Sequence, residues 1–189
     1  MLRLFVGIPL PERQRDHLRI VCGGLPGAKW VDPASLHLTL RFIGEIDGGA
    51  ARDVDSALSQ IRAPAFDLAI TGIDCFEQGG KIHTLWAGVE TQPFLVHLRD
   101  KVESAVVRSG LPPERRRFRA HITLARFKNG SGERVGPFLQ RFSRFSAEAF
   151  AVESFTLFRS HLLSGGPHYE PLAEYALDAR RGAASPPSA

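Results

Sequence analysis

Three observations predict a fold of mixed α and β structure, α/β or α+β, rather than a helix bundle or a β-sandwich. Short β-branched and aromatic runs alternate with stretches of helical periodicity. Two pairs of strand-like runs are separated by glycine-rich turns. One strand-like stretch recurs in the second half of the chain. The length of 189 residues suits one domain, or one domain built from two similar lobes, and 43% hydrophobic residues suffice for a packed core without disulfides.

In chain order, residues 2–8 read as a strand closed by Pro9 and Pro11. Residues 12–22 carry helix formers at apolar spacing and stop at Gly23 and Gly24, and 29–31 is a short strand before the Asp32-Pro33 turn. Residues 35–43 alternate as a strand does. Residues 48–61 place Val54, Leu58 and Ile61 at helical spacing. Strands follow at 66–76 and 82–89 around Gly79-Gly80. The clearest helix spans 93–108, with proline at its start and Gly110 just past its end. Residues 118–127 form a strand, 132–140 a short helix, and 148–163 and 169–177 two strands joined by Ser164-Gly165-Gly166-Pro167. The folded part is expected to be a single bilobal domain over 1–179, and the small, polar, proline-rich residues 180–189 a disordered tail.

The composition excludes several classes. The opening run is too short to cross a bilayer and lacks the layout of a signal peptide. Cys22 and Cys75 stand far apart with no C-x-x-C or Cys/His cluster, which argues against zinc and redox chemistry and for a reduced, cytoplasmic setting. The net charge is +4, carried by 20 arginines against four lysines. That excess suits anionic partners and the planar arginine fork suits phosphate, although the codon bias of a GC-rich genome produces the same composition.

The recurring stretch carries the chemistry. Residues 37–42 read HLTLRF and residues 121–127 read HITLARF. With seven histidines and six threonines in the chain, roughly 0.2 H-x-T matches arise by chance. Two that also carry leucine at the next position arise on the order of once in a few thousand chains. Alternation along a strand puts His37 and Thr39 on one face and Leu38 and Leu40 on the other, and does the same for His121 and Thr123 against Ile122 and Leu124. If the two lobes are related by a pseudo-twofold axis, the polar pairs meet across a groove. One neutral histidine can then accept a proton, a protonated one can donate, and the threonines can hydrogen-bond a phosphate oxygen. The site offers no carboxylate cluster for a metal, and no cofactor is expected.

On these motifs, together with RLFVGIPL at 3–10, KWV at 29–31, LWAGV at 85–89, FRAHITLARF at 118–127 and GGPHYEPL at 165–172, the sequence resembles the 2H phosphoesterase superfamily. Within it, the chain is similar to the RNA 2′,3′-cyclic phosphodiesterase (2′-5′ RNA ligase) family. The resemblance implies an α+β fold of two pseudo-twofold-related antiparallel sheets with outer helices and a central cleft. It implies hydrolysis of a 2′,3′-cyclic phosphate RNA end to a 2′-phosphate, and reversible, ATP-independent 2′-5′ ligation. It makes His121 the base and His37 the acid, and places Arg126 at the phosphate, although simple alternation would turn Arg126 to the apolar face unless the strand bulges. Where the family usually has proline before the second histidine, this chain has Ala120.

Further residues have two readings each. Arg41 shares the His37 face by alternation and could bind substrate or be a plain surface charge. Phe42 and Phe127 could stack on a base or pack in the core. Tyr169, with His168, could line the nucleotide side of the cleft. The run Arg115-Arg116-Arg117-Phe118-Arg119 could guide RNA or simply be an exposed loop. The expected partners are RNA ends or nucleotides bearing a cyclic phosphate, acted on by a monomer. The alternatives are another 2H activity, on 2′-5′ oligoadenylate or a small cyclic phosphate, or a non-catalytic RNA-binding module.

Overall fold

The computed structural model of the chain describes residues 1–128, 134–163 and 166–179. Their strands are β1 (Leu2–Pro9), β2 (Ala28–Trp30), β3 (His37–Ile46), β4 (Phe66–Gln78), β5 (Lys81–Val89), β6 (His121–Phe127), β7 (Ser146–Val152), β8 (Ser154–Leu163) and β9 (Gly166–Ala176). The helices are α1 (Glu12–Arg19), α2 (Gly48–Ser59), α3 (Pro93–Arg108) and α4 (Val135–Arg141). The expected tail at 180–189, the first residues of the expected helix at 132–140 and part of the 164–167 turn lie outside the described residues.

The strands follow one another in the order β7-β4-β5-β6-β3-β1-β8-β9, all antiparallel, with β2 also on β6. This order divides into two four-stranded halves, β3-β1-β8-β9 and β6-β5-β4-β7. They meet where β3 pairs with β6, at the single position Leu38↔Ile122. The halves match in construction. In each, a strand is followed by a helix and then by an H-x-T strand that returns antiparallel to the first: β1-α1-β3 and β5-α3-β6. The expected two-lobed α+β arrangement is thus present.

One ladder position is a narrow joint, and the helices reinforce it by crossing over. Helix α1 packs against β7 of the opposite half, and α3 packs against β3 of the opposite half. Proline at its first turn starts α3, and its face of Leu95, Leu98, Val102, Ala105 and Val106 is fully buried. Gln14 of α1 is buried and donates from Nε2 to the Glu148 carbonyl at 3.2 Å.

Two departures from the sequence reading have physical causes. The single strand expected at 148–163 breaks at Glu153, because there the chain changes halves: β7 pairs with β4, and β8 pairs with β1. Propensity reports an extended chain and is blind to a change of partner. The strands expected to begin at 35 and 118 begin instead on the histidines. Before His37, Pro33–Ser35 forms a 3-10 turn that Asp32 caps by accepting from the Ala34 amide.

Leu38 and Ile122 are fully buried at the joint. Leu38→Ala and Ile122→Ala are each expected to lower the unfolding free energy by about 2–5 kcal/mol in urea titrations. A loss under about 1 kcal/mol would mean that the joint is not closely packed.

Candidate active site

The two H-x-T strands share a detail that simple alternation does not contain. Along β1 the partners step from Arg41 (opposite Val6) to Thr39 (opposite Gly7), which leaves Leu40 as an extra residue. Along β5 they step from Ala125 (opposite Leu85) to Thr123 (opposite Trp86), which leaves Leu124 extra. Each motif therefore bulges at its fourth residue. After the bulge the faces exchange. The six residues from each histidine follow one burial sequence: half-buried, buried, half-buried, buried, buried, exposed.

The bulges resolve the two arginines in opposite ways. Arg126 comes to the face of His121 and Thr123, and its charge acts on His37, His121 and Tyr169 alike. Arg41, expected beside His37 and Thr39, turns instead into the interior and is only 8% exposed. Its NH1 donates to the Phe42 carbonyl and its NH2 to the Pro112 carbonyl, both at 2.6 Å. Its Nε lies 2.8 Å from Glu103 Oε2, off the N–H axis, so the contact is an ion pair more than an aligned hydrogen bond. Glu103 Oε1 also accepts from the Glu114 amide at 2.8 Å. Arg41 thus ties β3 to α3 and to the loop before His121, and it does not face a substrate.

Register places the polar groups. Residues opposite one another across an antiparallel pair share a face. About the Leu38↔Ile122 position, this sets His37 toward Thr123 and Thr39 toward His121. Across β1 and β5, Gly7 lies opposite Thr39 and Gly88 opposite His121. A Cβ on Gly7 would meet the Leu38 carbonyl at 2.9 Å, and one on Gly88 the Thr71 carbonyl at 2.3 Å, so both strands need glycine there. Neither threonine hydroxyl hydrogen-bonds another described residue.

Each imidazole is fixed through Nδ1, which donates to the carbonyl two residues earlier: His37 to Ser35 and His121 to Arg119, both at 2.7 Å. A carbonyl can only accept, so in the neutral ring Nε2 carries the lone pair and is left for chemistry. Aromatic rings flank both. His37 lies 4.7 Å from Phe5 and 4.9 Å from Tyr169, and Phe158 stacks on Phe5. His121 lies 4.9 Å from Phe76 and 6.0 Å from Trp86. Burial is the main cause that pushes the His37 pKa down to about 4. The hydrogen bond to Ser35 opposes it, and the Arg126 and His121 charges add to it. His121 is lowered for the same leading reason, its bond to the Arg119 carbonyl opposing and the Arg126 and Arg119 charges assisting. The Leu38↔Ile122 register sets the two rings on one face of the joint.

Of the remaining expectations, Tyr169 is at the site, edge-on to His37 and Phe5, with its pKa raised by burial. Phe127 packs in the core, whereas Phe42 is 43% exposed with the Arg3 guanidinium 5.0 Å above it. The two are not structural equivalents: the bulges match Phe42 with Arg126. His168 is exposed, on the strand that carries Tyr169. Sequence reading missed Phe5, Trp86, Phe158 and Phe76 as the supports of the histidines. A signal existed for the first two, since LFVGI at 4–8 and LWAGV at 85–89 are a second repeat, paired with the first.

Among the described residues no three His, Cys, Asp or Glu side chains gather so as to hold a metal ion, and no helix is long and apolar enough to cross a membrane.

Two matched H-x-T strands, facing each other across a pseudo-twofold joint with free imidazole Nε2 atoms, define a 2H phosphoesterase. Comparison with known proteins gives the family: the chain matches the LigT like phosphoesterases over residues 8–86 and 89–169, one motif in each segment, and belongs to that family. It is 31% identical over 179 residues to the RNA 2′,3′-cyclic phosphodiesterase of Escherichia coli, covering 93% of this chain and 96% of that one. It is 28% identical over 174 residues to the enzyme of the same name from Archaeoglobus fulgidus, covering 90% and 98%. Among solved structures, E. coli LigT complexed with 3′-AMP superposes with a TM-score of 0.77 at 28% identity, covering 93% of this chain and 98% of that one. A protein from Thermus thermophilus gives 0.77 at 27% identity, covering 95% and 100%.

The side chains carry two predictions. Arg41→Met leaves the Glu103 carboxylate with only the more distant Arg99, at 3.7 Å, as a cation and is expected to cost about 3 kcal/mol in urea unfolding, whereas Arg41→Lys keeps a charge and costs less; equal stability of all three proteins would refute the tie. His37, with its folded pKa below the ordinary 6.5, holds its proton less readily folded than unfolded. Its contribution to stability is therefore present above about 6.5 and is lost as pH falls toward about 4. Melting temperatures measured from pH 7 to pH 4 should fall more steeply for the wild type than for His37→Gln, and parallel curves would exclude a buried neutral His37.

Proposed function

We propose that the chain hydrolyses a 2′,3′-cyclic phosphate at an RNA 3′ end, leaving a 2′-phosphate. The observation that carries this reading is the pair of Nδ1-anchored histidines, each presenting Nε2 from the same position of a matched strand, with Thr39, Thr123 and Arg126 on the same face. Curated relatives named for this reaction, similar over nearly the whole chain, support it.

In this mechanism His121 Nε2 takes a proton from water as the oxygen attacks phosphorus. The bond from phosphorus to the 3′ oxygen breaks, and protonated His37 delivers its Nε2 proton to that oxygen. Thr39 and Thr123 donate to the non-bridging oxygens, and Arg126 balances their charge as it builds. Burial biases both imidazoles toward neutrality, and the charge of an anionic substrate raises their affinity for the proton that His37 must give. An RNA 5′-hydroxyl in place of water would yield a 2′-5′ linkage with no nucleotide triphosphate. The chemistry draws on no metal or cofactor. The free, half-buried Cys22 and Cys75 suit a reducing, cytoplasmic setting.

Phosphorus NMR of a nucleoside 2′,3′-cyclic phosphate, incubated with the protein in EDTA, is expected to show a 2′-phosphate product. His37→Ala and His121→Ala should each lower turnover at least about a hundredfold, and Thr39→Ala or Thr123→Ala by less than either. Wild-type turnover in both histidine variants would sink the mechanism. Activity lost in EDTA and restored by a divalent ion would assign a different class of enzyme.

A further inference from the structure

Three of the cavities border β4 or β5, and their charges differ. The largest, about 890 Å³, lies between the start of β4 and the last described residues, with Asp67, Glu90 and Asp178 against Arg62 alone. A second, about 510 Å³, holds Asp74 and no cation. The third, about 580 Å³, begins beside His121, at Ala120. Trp86, Gly88, Thr91, Arg117 and Arg119 line it, and no carboxylate does. A polyanion is repelled from the first two and drawn to the third.

The walls of the third cavity are formed for a ligand. Trp86 and Gly88 share the face of Thr123 and His121 through their register, so the cavity floor continues the floor of the active site. The Arg119 guanidinium lies over Trp86 and Phe76, 4.7 and 5.2 Å from their ring centroids, and 3.7 Å from the Asp74 carboxylate, and its side chain is still 59% exposed. Arg117 is exposed and makes no ion pair or hydrogen bond among the described residues. Trp86 is only 6% exposed, yet its indole N–H has no acceptor among the described residues. An indole whose buried N–H is unmet, the unpaired Arg117 and the ring-backed Arg119 thus line one cavity that begins next to His121 in the chain.

We propose that this cavity binds the nucleotide preceding the cyclic-phosphate nucleotide of an RNA end. Arg117 holds the linking phosphodiester, and the base lies on the outer face of Arg119. The proposal rests on the hydrolytic reading given above and adds to it a preference for an RNA end over a free nucleotide. It assigns Arg117 to substrate selection, apart from bond breaking.

The test compares kcat/KM for a mononucleoside 2′,3′-cyclic phosphate with that for a dinucleotide ending in the same cyclic phosphate. The wild type should favour the dinucleotide by roughly tenfold or more, expressed in KM, and should lose the preference when the internal linkage is an uncharged methylphosphonate. Arg117→Ala should bring the ratio close to one, and Arg117→Glu below one, while Arg117→Lys restores part of it. The salt dependence of the dinucleotide KM should drop by about one in slope in Arg117→Ala. Turnover of both substrates with no preference, or a preference unchanged in Arg117→Glu, overturns the subsite and leaves the hydrolytic reading standing. Turnover of neither removes the hydrolytic reading, and the subsite with it.

Discussion

The meeting of β3 and β6 at Leu38 and Ile122 is the constraint on which the site depends. Each histidine belongs to its own half, supported by its own pair of aromatic rings, and would be an ordinary half-buried side chain if that half stood alone. Only the joint sets them face to face. One ladder position could not hold two four-stranded halves in register, and it does not act alone. Helix α3 and Arg41 close the back of the joint, and α1 with Gln14 closes its flank. The apolar residues between the histidines and threonines of the motifs are therefore as much a part of the site as the polar ones.

The bulges at Leu40 and Leu124 convert a repeated peptide into an asymmetric site. With unbroken alternation, both halves would present only His and Thr. With one residue added, each half also presents what stands five places after its histidine: a phenylalanine in β3, an arginine in β6. The Arg126 charge thus comes from one half alone, while Tyr169 adds its edge to the other. A duplicated framework acquires two unlike walls without any change in the backbone that builds them. Burial lowers the pKa of both imidazoles and so favours their neutral forms.

Much of this was legible in the residues. The periodicities of α3 and of the paired strands at Gly79-Gly80 showed in plain spacing, and the two H-x-T peptides announced themselves because a coincidence of that kind is rare in a chain of this length. The inward turn of Arg41 was not legible, since a bulge is set by the neighbouring strand and leaves no residue of its own to mark it; Arg126 was expected at the site only from the resemblance, and only if its strand bulged. Nor was the division of β7 from β8 at Glu153, where both segments favour extended backbone and only their partners differ. The aromatic supports lay in view as LFVGI and LWAGV, yet a hydrophobic strand reads first as core. Their role appears only when register sets them opposite the motifs.

The order in which strands come to lie side by side bears on how the molecule is made. Strand β1 is made before its second neighbour, β8, by most of the domain, and Phe158 and Tyr169, which flank His37, arrive with β8 and β9. During synthesis the amino-terminal half therefore waits with one edge of β1 unpaired and its histidine unsupported, while the half built on β4, β5 and β6 can already assemble. Long-range pairings of this kind close slowly and leave strand edges open meanwhile. The surroundings of His37 are finished only once β8 and β9 have joined, so a copy cut short before them carries both H-x-T peptides without the rings that flank His37.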